Sequence, residues 1–202
     1  MGIDYAAADR EYGHVAALAQ VQVTRDAHQR PREHVYVRDV VALRGIYTNE
    51  TFVDAVMTML ERNGLSWHRL SSVYGDNPVQ SRWTMKSNIE TMKSVEKHLG
   101  ISSHALQPKI VSVKEGISGD TAFRVSNQWL YQTIADGRLV VHPAADLIAD
   151  GLERWDYTRD HKLKDVVDAL RYALRPYWQN KVSTGMPLSL IHISEPTRPL
   201  YI

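Results

Sequence analysis

Apolar and polar residues alternate along the first forty positions of the chain, and then the period changes. Residues 2–6 are a short apolar stretch that contains an acid, Asp4. Over residues 15–23, Val15, Ala17, Ala19, Val21 and Val23 alternate with Ala16, Leu18, Gln20 and Gln22, the two-residue period of a strand with one face well buried. A polar turn over 25–32 leads into a second run of the same kind over 35–43. Three successive strands with short connections predict an antiparallel meander.

From Thr48 the spacing is helical. Thr48 or Asn49 caps a helix whose inner stripe is Phe52, Val53, Val56, Met59 and Leu60, and Asn63-Gly64 ends it. A fourth strand over 70–74 runs toward another acid, Asp76. Helices and strands then alternate: a helix over 88–99, a strand over 109–114, a helix over 122–135 and a short extended segment over 138–142. A helix over 144–155 and a last one over 164–174 follow. The fold class is therefore α/β: three antiparallel strands, then alternating helices and strands, in a mixed sheet with helices on both faces. That is a ribonuclease H-like order.

Composition narrows the class without naming a function. A chain of 202 residues, 44% hydrophobic and 23% charged, suits one domain with its own core, read here as residues 1–180. Nothing in it matches a membrane span or a signal peptide, so the expected location is the cytoplasm. Without Cys there are no disulfides, Cys-ligated zinc sites or thiol nucleophiles. A formal charge of +1 does not announce a nucleic-acid binder, so such a surface must come from local clusters. Residues 181–202 are read as a disordered tail. From Leu188 the tail, Leu-Ser-Leu-Ile-His-Ile-Ser-Glu-Pro-Thr-Arg, resembles the translation of an adapter used in sequencing libraries and is left out of the reading of fold and function. Met1 is by the same reasoning a candidate internal methionine of a longer reading frame.

The candidate chemistry lies in the last helix. Val167, Leu170, Ala173 and Leu174 form its apolar stripe, while Asp165 and Asp168 share a side one turn apart, Asp168 near the edge of the buried face. Two readings stand: both acids favour the positive end of the helix, or they bind a cation. In a sheet of the expected order Asp4 and Asp76 emerge from neighbouring strands, and the last helix crosses over them. Carboxylates that converge without Lys or Arg partners repel one another and lose hydration unless divalent cations bind. Mg²⁺ or Mn²⁺ prefer such oxygen donors, and a pair of ions suits phosphodiester hydrolysis.

The segments Gly2-Ile3-Asp4-Tyr5-Ala6, Tyr74-Gly75-Asp76 and Asp165-Val166-Val167-Asp168-Ala169-Leu170-Arg171-Tyr172-Ala173-Leu174 resemble the nuclease domain of the large terminase subunit of tailed bacteriophages. The resemblance covers residues 1–178. It implies a metal-dependent endonuclease that cuts concatemeric viral DNA during genome packaging, in the cytoplasm of the infected bacterial host. Carried over by position, Asp4, Asp76 and Asp168 are the catalytic metal ligands for two Mg²⁺ or Mn²⁺ ions. Asp9 and Asp165 are candidate further ligands, Asp165 standing where many relatives have His. Double-stranded DNA, a portal protein and a small terminase subunit are the implied partners. The chain departs from the family in its missing motor, for no Gly-x-x-x-x-Gly-Lys-Ser/Thr phosphate loop occurs in it.

Candidate DNA contacts are Arg25, Arg30 and Arg32 in the meander, Arg82 and Lys86 after Asp76, and His161, Lys162 and Lys164 before the acid helix. For each of these the bland reading is a solvated surface charge. The competing functions are a Holliday-junction resolvase or transposase-like nuclease of the same fold, and a non-catalytic docking module.

Overall fold

The computed structural model describes residues 1–4, 12–44, 48–75, 110–112, 119–154 and 162–183. Among the described residues six strands form one mixed sheet: β1 (Gly2–Asp4), β2 (Val15–Arg25), β3 (Pro31–Ala42), β4 (Val73–Gly75), β5 (Ile110–Ser112) and β6 (Leu139–Val141). Their spatial order is β5-β4-β1-β2-β3-β6. The β1/β2 and β2/β3 pairs are antiparallel, whereas β1/β4, β4/β5 and β3/β6 are parallel. The meander is therefore present, and the extended segment over 138–142 proves to be an edge strand. The strand expected over 70–74 is shorter, because a single 3₁₀ turn at Trp67–Arg69 takes up its approach.

Among the described residues three helices flank the meander and its edge: α1 (Asn49–Arg62), α2 (Gly119–Ala135) and α3 (Asp146–Arg154). The chain closes with α4 (Lys164–Ala173) and α5 (Arg175–Ser183). The Thr48 side chain caps α1 by accepting from the Thr51 backbone N–H at 3.2 Å. Helices α1 and α2 run out at Gly64 and Gly137, whose positive φ angles of 66° and 64° are those of a left-handed C-terminal stop. Among the described residues no helix is long and apolar enough to cross a membrane.

Side chains alternate between two cores. Ile3, Ala16 and Leu18 join Phe52, Val56 and Met59 of α1 on one face of the sheet. Val15, Ala17, Val35 and Val37 join Val167 and Leu170 of α4, with α2 and α3, on the other. The expectation of one buried face for β2 is thus corrected: Val15, Ala16, Ala17 and Leu18 are all buried, because helices cover this central strand from both sides. Helix α4 is buried nearly all round, Asp165, Asp168 and Arg171 included. It lies so close to β1 that a Cβ on Gly2 would overlap the backbone of Ala169 and Ala173. The helix expected over 88–99 lies outside the described residues; of the tail expected over 181–202, residues 181–183 instead continue helix α5, and the rest lies outside the described residues.

Candidate functional site

Alternation along β1 sets the site. Ile3 faces α1, so Gly2 and Asp4 face α4, and the close approach at Gly2 brings the start of α4 toward Asp4. Asp4 is buried at the C-terminal end of its strand, opposite Val15. Lys164, the first residue of α4, collects the acids. Its Nζ lies 2.5 Å from Asp168 Oδ2 and 3.7 Å from Asp165 Oδ1. Burial alone would lower its pKa, but the carboxylates of Asp168, Asp4 and Asp165 outweigh that and raise it above the ordinary lysine value.

The sequence led us to expect acids without basic partners near the edge of a buried face, and both parts need correction. Asp168 is 3% exposed, and it is paired on two sides. Lys164, one turn earlier, holds one oxygen, and Arg171, three residues later, holds the other through Nη1. Arg171 is fixed in turn: its Nε donates to Ser126 Oγ at 2.8 Å, and its guanidinium stacks 4.6 Å above the Phe123 ring of α2. Trp178 Nε1 donates to the Arg171 carbonyl at 2.8 Å, which ties α5 to the same point. The i−4 and i+3 spacings of Lys164 and Arg171 about Asp168 were legible in the sequence and are the signal that was missed.

Of the expected site residues, Asp165 and Asp168 pair with Lys164, and Asp4 acts on it through its charge. Asp9, Asp76, Arg82, Lys86 and His161 lie outside the described residues, and Lys162 is exposed just before α4. Among the described residues no group of three or more His, Cys, Asp or Glu side chains is placed to hold a metal ion.

The basic cluster of the meander lies elsewhere. Arg25, Arg30 and Arg32 sit at the tip of the β2–β3 hairpin, about 33 Å from the Asp4 end of the sheet at 3.3 Å per residue along β2. Asp26 organises that tip. Its carboxylate accepts from the backbone N–H groups of His28 and Arg30 and from Arg30 Nε, while Arg25 donates to the Gln29 carbonyl at 2.9 Å.

A further buried acid escaped the sequence reading. Asp39 of β3 is 1% exposed and accepts from Arg62 Nε at 2.6 Å, Asn63 Nδ2 at 2.6 Å and the Val40 N–H at 2.8 Å. Burial works against its charge, but these bonds prevail and hold its pKa below the usual carboxylate value. It clamps the end of α1 to the sheet, on the face away from α4. Comparison of the chain with family models, with curated proteins and with solved structures gives no match.

Proposed function

We propose that the chain is a metal-dependent endonuclease of ribonuclease H-like architecture, akin to the nuclease part of a large terminase subunit, with double-stranded DNA as its substrate. The observation that carries this reading is that Lys164, ion-paired with Asp168 on a helix near the other end of the sequence, also lies within the electrostatic reach of Asp4 from the central strand. The strand order, with β1 between an antiparallel meander and the parallel β4 and β5, supports the same architecture. Asp76 directly follows Gly75, which pairs with Ile3 in the ladder, as Asp4 directly follows Ile3, so in sequence both acids stand one step beyond the same pair.

The donor set is all carboxylate, which fits hard cations such as Mg²⁺ or Mn²⁺. Asp4 and Asp168 would hold them, with Asp76 as a third donor and Asp165 and Asp9 as further ones. Ions held there would supply the positive charge that phosphodiester hydrolysis requires. The chain's own contribution is orientation: Arg171, anchored to Ser126 and Phe123, fixes the Asp168 carboxylate. Lys164 balances the negative charge, so a divalent ion enters in competition with its ammonium. A portal protein, a small subunit and an ATP-hydrolysing motor are the partners this reading implies.

A second reading is favoured by one observation. Asp168 is compensated by Lys164 and Arg171, as a purely structural ion cluster would be, and this suits a non-catalytic docking module. Supercoiled-plasmid cleavage by residues 1–187 with Mn²⁺, Mg²⁺ or chelator, beside Asp4→Asn and Asp168→Asn, decides between them. The nuclease reading expects metal-dependent nicking that both substitutions abolish. Nicking that survives Asp4→Asn overturns the site, and absence of both nicking and calorimetric Mn²⁺ binding leaves the docking module.

A further inference from the structure

Strand β3 alternates strictly over Arg32-Glu33-His34-Val35-Tyr36-Val37-Arg38. Glu33, Val35 and Val37 are buried, whereas Arg32 and Arg38 are exposed and His34 and Tyr36 half-buried. Val35 and Val37 belong to the α4 core, so the alternate set faces the α1 side of the sheet. Side-chain contacts agree: His34 Nε2 lies 3.1 Å from Thr24 Oγ1, and Arg38 Nη1 donates to Gln20 Oε1 at 3.5 Å. Arg38 is the extra residue of a bulge, for Leu18 pairs with Asp39 and Ala19 with Val37, and it turns toward Gln20. Helix α1 does not cover this part of the sheet. Among the described residues its core reaches along β2 only to Leu18.

The uncovered face has an apolar centre and cationic ends. Val140 of β6 pairs with Tyr36 and is 53% exposed, while Leu139 and Val141 turn toward the α4 core. Tyr36 and Val140 therefore stand side by side. Arg32 and Arg38 bracket them, about 20 Å apart at 3.3 Å per residue along β3. The facing positions of β2 are Gln20, Gln22 and Thr24, so the cations meet amides and a hydroxyl rather than carboxylates. Asp136, whose charge reaches Arg32, is already paired with Arg138 at 3.0 Å. The chain holds 24 Lys and Arg against 23 Asp and Glu, so a single sign here is a local excess.

We propose that this face binds single-stranded DNA, with phosphates on the guanidinium groups of Arg32 and Arg38 and an unpaired base stacked on Tyr36 beside Val140. A duplex keeps its bases inside and would leave Tyr36 and Val140 without a partner. An acidic protein would satisfy the arginines alone. The face begins at Gln20, about 17 Å along β2 from the Asp4 end, and on the side of the sheet away from α4. It therefore holds a strand apart from the candidate cleavage site. The choice of DNA rests on the nuclease reading, whereas the binding itself needs neither metal nor cleavage.

The test is fluorescence anisotropy of labelled oligothymidylate, about twelve nucleotides long, with the full chain in chelator at low salt. Tyr36→Thr is expected to weaken binding by about tenfold, and Tyr36→Phe, which keeps the ring, to retain it. Arg32→Glu/Arg38→Glu should weaken it by more than about tenfold. Arg25→Glu/Arg154→Glu, an equal change of charge off this face, should cost less than about threefold. Circular dichroism checks that each variant is folded. Absence of binding, or equal losses for the two charge-reversed pairs, overturns the proposal. So does tighter binding of a duplex or of oligouridylate of the same length, and so does displacement by polyglutamate at equal charge, which would make the face a site for an acidic protein. Chelator prevents cleavage, so a failure here leaves the nuclease reading standing, and a plasmid that is not nicked leaves this binding intact.

Discussion

Gly2 and Ala169 touch backbone to backbone: the place of a Cβ on Gly2 is occupied by the Ala169 carbonyl oxygen. This contact lets α4 settle onto β1 with Asp168 on the Asp4 side. Gly2→Ala is therefore expected to destabilise the chain by about 3 kcal/mol, the upper range for overpacking, because the obstacle is helix backbone rather than a flexible side chain. Urea unfolding measures it, and a loss below about 0.5 kcal/mol would show that α4 shifts freely.

The two cations on Asp168 should not be equivalent. Arg171 has 7% of its side chain exposed and also serves Ser126 and Phe123, whereas the Lys164 side chain is 19% exposed. Arg171→Met is expected to cost about 4 kcal/mol and Lys164→Met about 1–2 kcal/mol. A double-mutant cycle with Asp168→Asn checks the assignment. Equal losses for the two cations would contradict it.

The buried amine of Met1 makes stability depend on pH. Its pKa is about 6 in the folded chain and about 8 when unfolded, so protonation favours unfolding. Stability is full above pH 8 and falls as the pH drops toward 6, by about 2–3 kcal/mol. Denaturation midpoints at pH 8.5 and 6, compared with Nα-acetylated protein to remove the histidine contribution, should show the decline in the free amine alone.

Asp39 acts at the acid end of the scale. Its folded pKa is below the unfolded value, so its contribution is present above about pH 4 and is lost as pH falls through the folded value. Asp39→Ala is expected to cost about 3 kcal/mol at neutral pH and to flatten the acid limb of the stability curve. Circular dichroism along an acid titration would record both effects, and an unchanged acid limb would exclude the Asp39–Arg62 clamp.

How far the sequence reveals this protein varies with the range of the interaction. Local signals are faithful: Thr48 caps α1, Gly64 and Gly137 stop their helices, and the apolar stripe of α4 is buried as its spacing requires. Periodicity alone did not reveal that β2 is covered on both faces, since Ala16 and Leu18 acquire their cover from α1, a distant element. That Asp4 and Asp168 both act on one lysine depends on strand order and helix packing, and no local spacing carries it. The pairing of Asp168 with Arg171 was missed because the acids were weighed as repelling charges, without the cations at i−4 and i+3. Asp39 stood unnoticed within an apolar run, because its partners Arg62 and Asn63 belong to a helix end more than twenty residues later.

The packing of α4 on β1 also governs the order of folding. The β2–β3 hairpin closes through a short turn organised by Asp26, which is a fast, local event. The central strand, in contrast, waits for a helix that begins at Lys164, so its loop is among the longest the chain must close. Until α4 emerges, the α4-facing side of β2 and β3, with Val15, Ala17, Val35 and Val37, has only α2 and α3 to cover it and is partly open to association with other chains. Truncation before residue 164 should therefore yield an aggregating chain rather than a smaller folded one.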